Sequence, residues 1–197
     1  MEQWRMFQPI VLASFGVAQS FDTQPSTLLV DGIDPLTLGG YQNEHLYLRI
    51  YNEDPSFAPP GHTVVQAMLS TEYDWWATRG AQYQREKDLA ADRVLTCLNR
   101  YLPGMKAGTQ MVDLATPLTY WRTARSWRGA FEGWIPTSNA FKHVPKELPG
   151  LERLSMAGQW VEPGGGVPTA VMSGRQVVEI ICAALHYEFT VPLQAAS

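Results

Sequence analysis

Near the C-terminus the chain runs WVEPGGGVPTAVMSGRQVVEII, Trp160 to Ile181, with three consecutive glycines, Gly164 to Gly166, ahead of a helical pattern. Glycine reaches backbone conformations closed to other residues and lets a flat ligand approach the main chain closely. Pro168 suits a first helical turn, where its missing N–H costs nothing. The free N–H groups of a helix start carry about half a positive charge. Such an end can face a phosphate, a carboxylate or a carbonyl that gains negative charge. Spacing tests the phosphate option. A dinucleotide fingerprint needs Gly-x-Gly-x-x-Gly and then a second strand with an acidic residue. Here Gly164 and Gly166 fill the first two positions, Thr169 stands in the third, and the chain nearly ends after the helix. The fingerprint fails on both counts. Two readings stay open for the turn: a ligand seat of another kind, or a structural turn without a ligand. Ala170, Ser173 and Gly174 are small and let the helix pack close to a neighbour.

Other chemistry is thinly represented. The histidines His45, His62, His143 and His186 form no HxxxH or HxH pair, so no metal site is expected. Neither Ser14 nor Ser173 stands in the Gly-x-Ser-x-Gly of a hydrolase elbow. Glu132 lies in the glycine-flanked loop RGAFEGW, Arg128 to Trp134, where a solvated or capping role competes with acid–base work. Arg175 and Glu179 are four apart on a predicted helix and read as a surface ion pair. No residue is assigned as catalytic. Cys97 and Cys182 have apolar neighbours and read as buried reduced thiols, which fits a reducing, cytoplasmic compartment.

The elements that position these residues follow from periodicity. Ile10 to Val17, Ser26 to Val30, Glu44 to Asn52, His62 to Ser70, Gln110 to Leu114 and Leu151 to Gln159 are predicted strands. In EHLYLRIYN, Leu46, Leu48 and Ile50 share one face, and His45, Tyr47, Arg49 and Tyr51 share the other. The turn-rich NEDPSFAPPG makes this strand and the next an antiparallel pair. Predicted helices span Glu72 to Arg79, Ala81 to Tyr101, Thr116 to Arg122 and Val167 to Leu185. The second carries an apolar row of Leu89, Val94, Leu98 and Tyr101. The last carries Val167, Ala170, Val171, Gly174, Val178, Ile181 and Leu185 on one stripe. Arg125 to Gly150 reads as largely irregular. The order predicts an α+β fold with a mixed, mainly antiparallel sheet and packed helices, followed by a C-terminal strand, glycine turn and helix.

Composition bounds the function classes. The 197 residues are 45% hydrophobic and 17% charged, as in a globular protein with a sizeable core. Seven Trp, eight Tyr and seven Phe can line an apolar cavity or fill a core. A net charge of −4 without a basic run points away from nucleic acid. No apolar run approaches the roughly 20 residues of a membrane-spanning helix.

AGQWVEPGGGVPTAVMSGR, Ala157 to Arg175, resembles the C-terminal signature of FAD-dependent oxidoreductases of the phytoene desaturase, carotenoid isomerase and retinol saturase group. It is more distantly similar to the amine-oxidase flavoproteins. PIVLASFGVAQSF, LRIYNEDPSFAPPGHTVV and ATPLTYWRTARSWRGAFEGW resemble substrate-domain segments of bacterial members, in the same order. In that group an N-terminal Rossmann-like domain holds the FAD pyrophosphate through its own Gly-x-Gly-x-x-Gly, which this sequence does not contain. The resemblance therefore implies the C-terminal portion of such an enzyme: a fragment, a truncated frame or one half of a split protein.

The resemblance also implies roles. Residues 1–150 correspond to a substrate-binding region and 151–197 to the flavin-contacting end. Gly158 and Gln159 fall where the group approaches the ribityl and phosphate part of FAD, a place often acidic in relatives. Gly164, Gly165, Gly166, Val167 and Pro168 match the turn laid against the flavin ring. Gly129, Phe131, Gly133 and Trp134 match the border of flavin and substrate cavity, the glycines for close approach and the aromatics as walls. The implied reaction is hydride transfer between FAD and an apolar, polyene or isoprenoid-like substrate. Implied partners are that substrate, a separate Rossmann half and, for an apolar substrate, peripheral membrane contact. The rival reading is a non-enzymatic apolar-ligand binding or interaction domain descended from such an enzyme.

Overall fold

Strand β1, Ile10–Val17, alternates buried and half-buried positions along IVLASFGV, the period of a strand with one covered face. The computed structural model describes residues 4–136 and 144–190, and His143 lies outside them. β1 is an inner strand of a five-stranded sheet with β2 (Thr27–Leu38), β3 (Tyr41–Tyr51), β4 (Thr63–Ser70) and β5 (Thr109–Ala115), in the order β2-β3-β4-β1-β5. All four pairings are antiparallel, so the mixed sheet expected from the element order is replaced by a purely antiparallel one. The Gly39–Gly40 turn joins β2 to β3 as a hairpin, a connection that joins only antiparallel strands.

The register stacks the apolar faces. Phe15 stands opposite Val65, which stands opposite Ile50; Ala13 stands opposite Ala67, which stands opposite Leu48. Each of these side chains is fully buried. Helix α1, Tyr73–Ala77, contributes the buried Trp76. Helix α2, Tyr83–Tyr101, adds Ala90, Val94, Leu95 and Leu98 to the same core. Leu89 and Tyr101 stay exposed, against the expected row. Leu89 is five residues before Val94, and at about 100° per residue it points well away from that face. A single turn, α3 (Met105–Gly108), leads into β5, and α4 (Pro117–Ala124) follows it behind a Thr116 capping box.

β2 runs past the expected Val30 to Leu38. Gly32 and Pro35 look like strand breakers, but the register slips between Asp31 and Leu36, and β2 is an edge strand. A bulge on an edge tolerates both residues. On the face away from the core, Tyr51 Oη donates to Gln66 Oε1 at 2.7 Å, and Gln66 Nε2 donates to Ser14 Oγ at 3.0 Å. These elements belong to one compact unit, Gln8–Phe131.

The second unit comprises Met1–Phe7 with Glu132–Ser197. Its N-terminal segment pairs with the start of its long segment: Phe7 N–H donates to the Gly133 carbonyl at 3.2 Å and Ile135 N–H to the Arg5 carbonyl at 2.8 Å. The strand expected at Leu151 to Gln159 is not formed. Arg153 and Gly158 have φ of 57° and 118°, outside the extended range, and Ser155 makes one isolated bridge to Glu147. Without a partner ladder, apolar alternation does not hold a segment extended. Helix α5, Gly166–Ala184, closes the unit. It ends in a Schellman turn: His186 is left-handed, its N–H donates to the Ala183 carbonyl at 3.2 Å, and Tyr187 N–H donates to the Cys182 carbonyl at 2.9 Å.

The apolar stripe of α5 is not core. Val167, Val171 and Leu185 are 76%, 65% and 61% exposed, Val178 and Ile181 are exposed too, and the one buried residue of the helix is Ser173. Among the described residues no helix is long and apolar enough to cross a membrane.

Candidate functional site

The glycine turn is built from three successive residues that only glycine serves well. Gly164, Gly165 and Gly166 have φ of 116°, 66° and 79°. Gly165 is the N-cap of α5, and no side chain of the described residues caps that helix start by a hydrogen bond. The turn is held from inside the helix. Thr169 Oγ1 donates to the Gly165 carbonyl at 2.6 Å, with the Gly166 carbonyl 3.1 Å away. One turn on, Ser173 Oγ accepts from Gly158 N–H at 2.7 Å and donates to the Ala170 carbonyl at 2.7 Å. Thr169, in the position where a dinucleotide fingerprint has its last glycine, thus ties down carbonyls of the turn. The N–H groups of the helix start are not used in these bonds.

Gly133 and Trp134, about thirty residues upstream, are brought to this turn. A β-carbon on Gly133 would stand 2.2 Å from the Gln159 carbonyl oxygen, so the two main chains touch and nothing larger than glycine fits. Gly164 N–H donates to the Trp134 carbonyl at 3.1 Å. Trp134 Nε1 donates to the Trp160 carbonyl at 3.1 Å, and the two rings meet edge to face at 5.2 Å between centroids. Trp4 meets Trp134 on another side at 6.0 Å. These indoles form an apolar wall beside the turn. Lys146 and Glu162 form an ion pair of 2.9 Å whose side chains are only 8% and 18% exposed, fixing the chain just before the turn. Val167 and Pro168 are exposed at the first turn of α5.

Gly129 and Phe131 belong to the sheet unit. Gly129 closes a 3-10 turn, Trp127–Gly129, and a β-carbon there would stand 2.1 Å from the Pro117 carbonyl oxygen. Its close approach is to the start of α4. Phe131 is half-buried.

Three contributors go beyond the residues expected from the sequence: Ser173, Thr169 as a tie, and Glu132 as a neighbour of the turn. The signal for the first two was present, since Gly165, Thr169 and Ser173 recur at intervals of four on one helix row. For Glu132 the sequence shows only an acid in a glycine-flanked loop, with nothing to pair it with Gly165. Its side chain packs on Gly165, where a β-carbon would stand 2.7 Å from Glu132 Cβ. Burial raises the Glu132 carboxyl above its ordinary value.

Among the described residues, no group of three or more His, Cys, Asp or Glu is placed to hold a metal ion. Both cysteines are free thiols, Cys97 buried and Cys182 partly so. What the turn offers is backbone N–H at a 19-residue helix start without a side-chain cap, glycine main chain at Gly164 and Gly166 beside a Gly165 that Glu132 covers, and indoles alongside.

Residues 14–182 match the sequence model of the family described as flavin containing amine oxidoreductase. The chain belongs to this family. It is 29% identical over 153 residues to prolycopene isomerase 2, chloroplastic, of an Oncidium hybrid cultivar, covering 73% of the chain and 25% of that relative. It is 31% identical over 137 residues to pyridine nucleotide-disulfide oxidoreductase domain-containing protein 2 of Mus musculus, covering 65% and 23%. It is 38% identical over 73 residues to 4,4'-diaponeurosporene oxygenase of Staphylococcus aureus (strain MW2), covering 36% and 15%. The chain spans about a quarter of the length of the first of these relatives. Family membership makes a flavin the cofactor class to test against the geometry. The helix start fits one in its chemistry: N–H groups without a side-chain cap, beside glycine main chain, suit a flat ring that gains negative charge.

Proposed function

We propose that this chain supplies the substrate-side and C-terminal part of an FAD-dependent oxidoreductase acting on an apolar polyene. In this reading residues 1–150 serve the substrate and 151–197 the flavin. The observation that carries it is the Gly164–Gly166 turn, tied from within by Thr169 and Ser173 so that the α5 N–H groups stay free, in a chain of a flavin family. A bound flavin supplies hydride exchange between its N5 and the substrate. The chain's own groups position and polarise. The start of α5 would set positive potential against negative charge gained by the ring, a preorganised electrostatic effect. Gly164, Gly165 and Gly166, with Val167 and Pro168 at the helix start, would receive the flavin ring, and Gly158 with Gln159 would hold its ribityl side. Trp134 and Trp160 exclude water beside the turn, with Gly133 holding the two segments together. Gly129 and Phe131 border the substrate side.

The relatives named prolycopene isomerase and 4,4'-diaponeurosporene oxygenase support this substrate class. The exposed stripe of α5 supports a complementary domain that holds the FAD pyrophosphate, on a longer protein or a separate chain. We place the assembled enzyme in the cytoplasm with peripheral membrane contact, since a polyene partitions into lipid.

The test is titration of the purified chain with FAD, alone and with a partner domain carrying Gly-x-Gly-x-x-Gly. Weak binding alone and stoichiometric binding in the reconstituted pair are expected. Tight stoichiometric binding by the chain alone would contradict the need for a partner. The same α5 stripe also favours a second reading, an interaction domain without cofactor. Flavin-free complexes in every reconstitution would select that reading.

A further inference from the structure

We propose that Glu132 is a positioning residue of the flavin seat, holding a proton on its carboxyl group whenever a ligand places negative charge against the glycine turn. This rests on the flavin reading above. Both carboxyl oxygens of Glu132 lie over the turn: a β-carbon on Gly165 would stand 2.8 Å from Oε2, and one on Gly166 would stand 3.7 Å from Oε1. The backbone beside it is fixed. The next residue, Gly133, is pressed against the Gln159 carbonyl and bonded through its own carbonyl to Phe7 N–H. Among the described residues Glu132 makes no hydrogen bond or ion pair. The carboxyl thus sits unpaired beside a helix start that no side chain of the described residues caps.

The surrounding charges do not neutralise it. The N-terminal segment brings Arg5. The segment before the turn brings Glu162, already paired with Lys146. The first turn of α5 brings no acid. The upward movement of the Glu132 carboxyl comes from burial and from no charged neighbour. An ionised Glu132 would compete with ligand negative charge for the same helix end, because like charges in close proximity disfavour one another. Protonated, it removes that conflict and gains an O–H donor aimed at the ligand. Ligand binding and proton uptake at Glu132 are therefore linked, with the proton taken from solvent.

The experiment uses the 197-residue chain with 13C-labelled glutamate, the Glu132 carboxyl being assigned by its loss in E132Q. FAD, oxidised and dithionite-reduced, is the probe, titrated from pH 5 to pH 8. Expected is about a tenfold loss of affinity across that range in the wild type, the size of a one-unit displacement of the titration. The loss should be larger for reduced FAD and absent in E132Q, which should bind throughout as the wild type does in acid. The Glu132 carboxyl signal should titrate at higher pH once FAD is added. Equal pH dependence in both chains, or a carboxyl midpoint unmoved by saturating FAD, would overturn the inference. If E132Q does not fold, the wild-type carboxyl titration decides alone. Absence of FAD binding to either chain at every pH would sink the flavin reading, and this inference with it.

Discussion

The two units solve opposite problems. The sheet unit buries its apolar side chains in one continuous core, with Phe15, Leu48, Ile50, Trp76 and Leu98 all fully inside. The glycine-turn unit fixes a few backbone groups by polar ties and main-chain contact, and leaves the apolar stripe of its helix outside. Burial of apolar surface is the main source of stability. The first unit therefore holds its fold by its own packing. The second holds a shape ready for use while much of its hydrophobic driving force remains unspent, which is how a surface awaiting a partner differs from a core.

That contrast is open to attack at graded cost. Leu48→Ala removes a fully buried side chain between Ala67 and β2, and should cost about 2–5 kcal/mol in urea unfolding. A loss near zero would mean that the sheet unit is not the stable part. Gly133→Ala drives a β-carbon into the Gln159 main chain, which cannot yield as a flexible side chain would, and should cost about 1–3 kcal/mol. Its signature is local: faster amide exchange at Gly164 with the sheet strands unchanged. If the strands exchange faster instead, the turn is not held independently of the core.

Glu132 gives a smaller effect with a definite sign. Burial raises its carboxyl above the ordinary 4.5, so the folded chain binds that proton more tightly than the unfolded chain. The resulting stabilisation is full below pH 4.5 and is lost as pH rises through the higher folded value. E132Q should therefore gain on the wild type as pH is raised through that window. Parallel stability curves would contradict the buried placement. Smallest of all, Val171→Ser on the exposed α5 stripe should change stability by no more than about 0.5 kcal/mol. A cost above about 2 kcal/mol would show that the stripe is already covered.

The sequence disclosed what depends on local period and hid what depends on partners. β1 was legible to the residue because its alternation is enforced by one buried face. β3 and its two faces were legible for the same reason. The far half of β2 was not, since the bulge that rescues Gly32 and Pro35 is a property of the edge. Leu151 to Gln159 shows apolar residues without a neighbouring ladder, so its pattern misled. At the candidate site, the glycine turn and its helix were visible, and Thr169 with Ser173 could have been read from their spacing. The approach of Glu132 and Gly133 to Gly165 and Gln159 was not readable, because no local rule pairs residues so far apart. The α5 stripe was visible as a stripe, yet only the structure shows that it faces outward.

The central claim is that the start of α5 is the flavin seat, and amide hydrogen exchange across Gly164 to Thr169 with and without FAD tests it most directly. Slowed exchange confined to Gly164–Val167, Thr169 and the Gly158 amide is expected on FAD binding, strengthened when the complementary domain is present. FAD binding with those amides unchanged, and protection elsewhere in the chain, would contradict it.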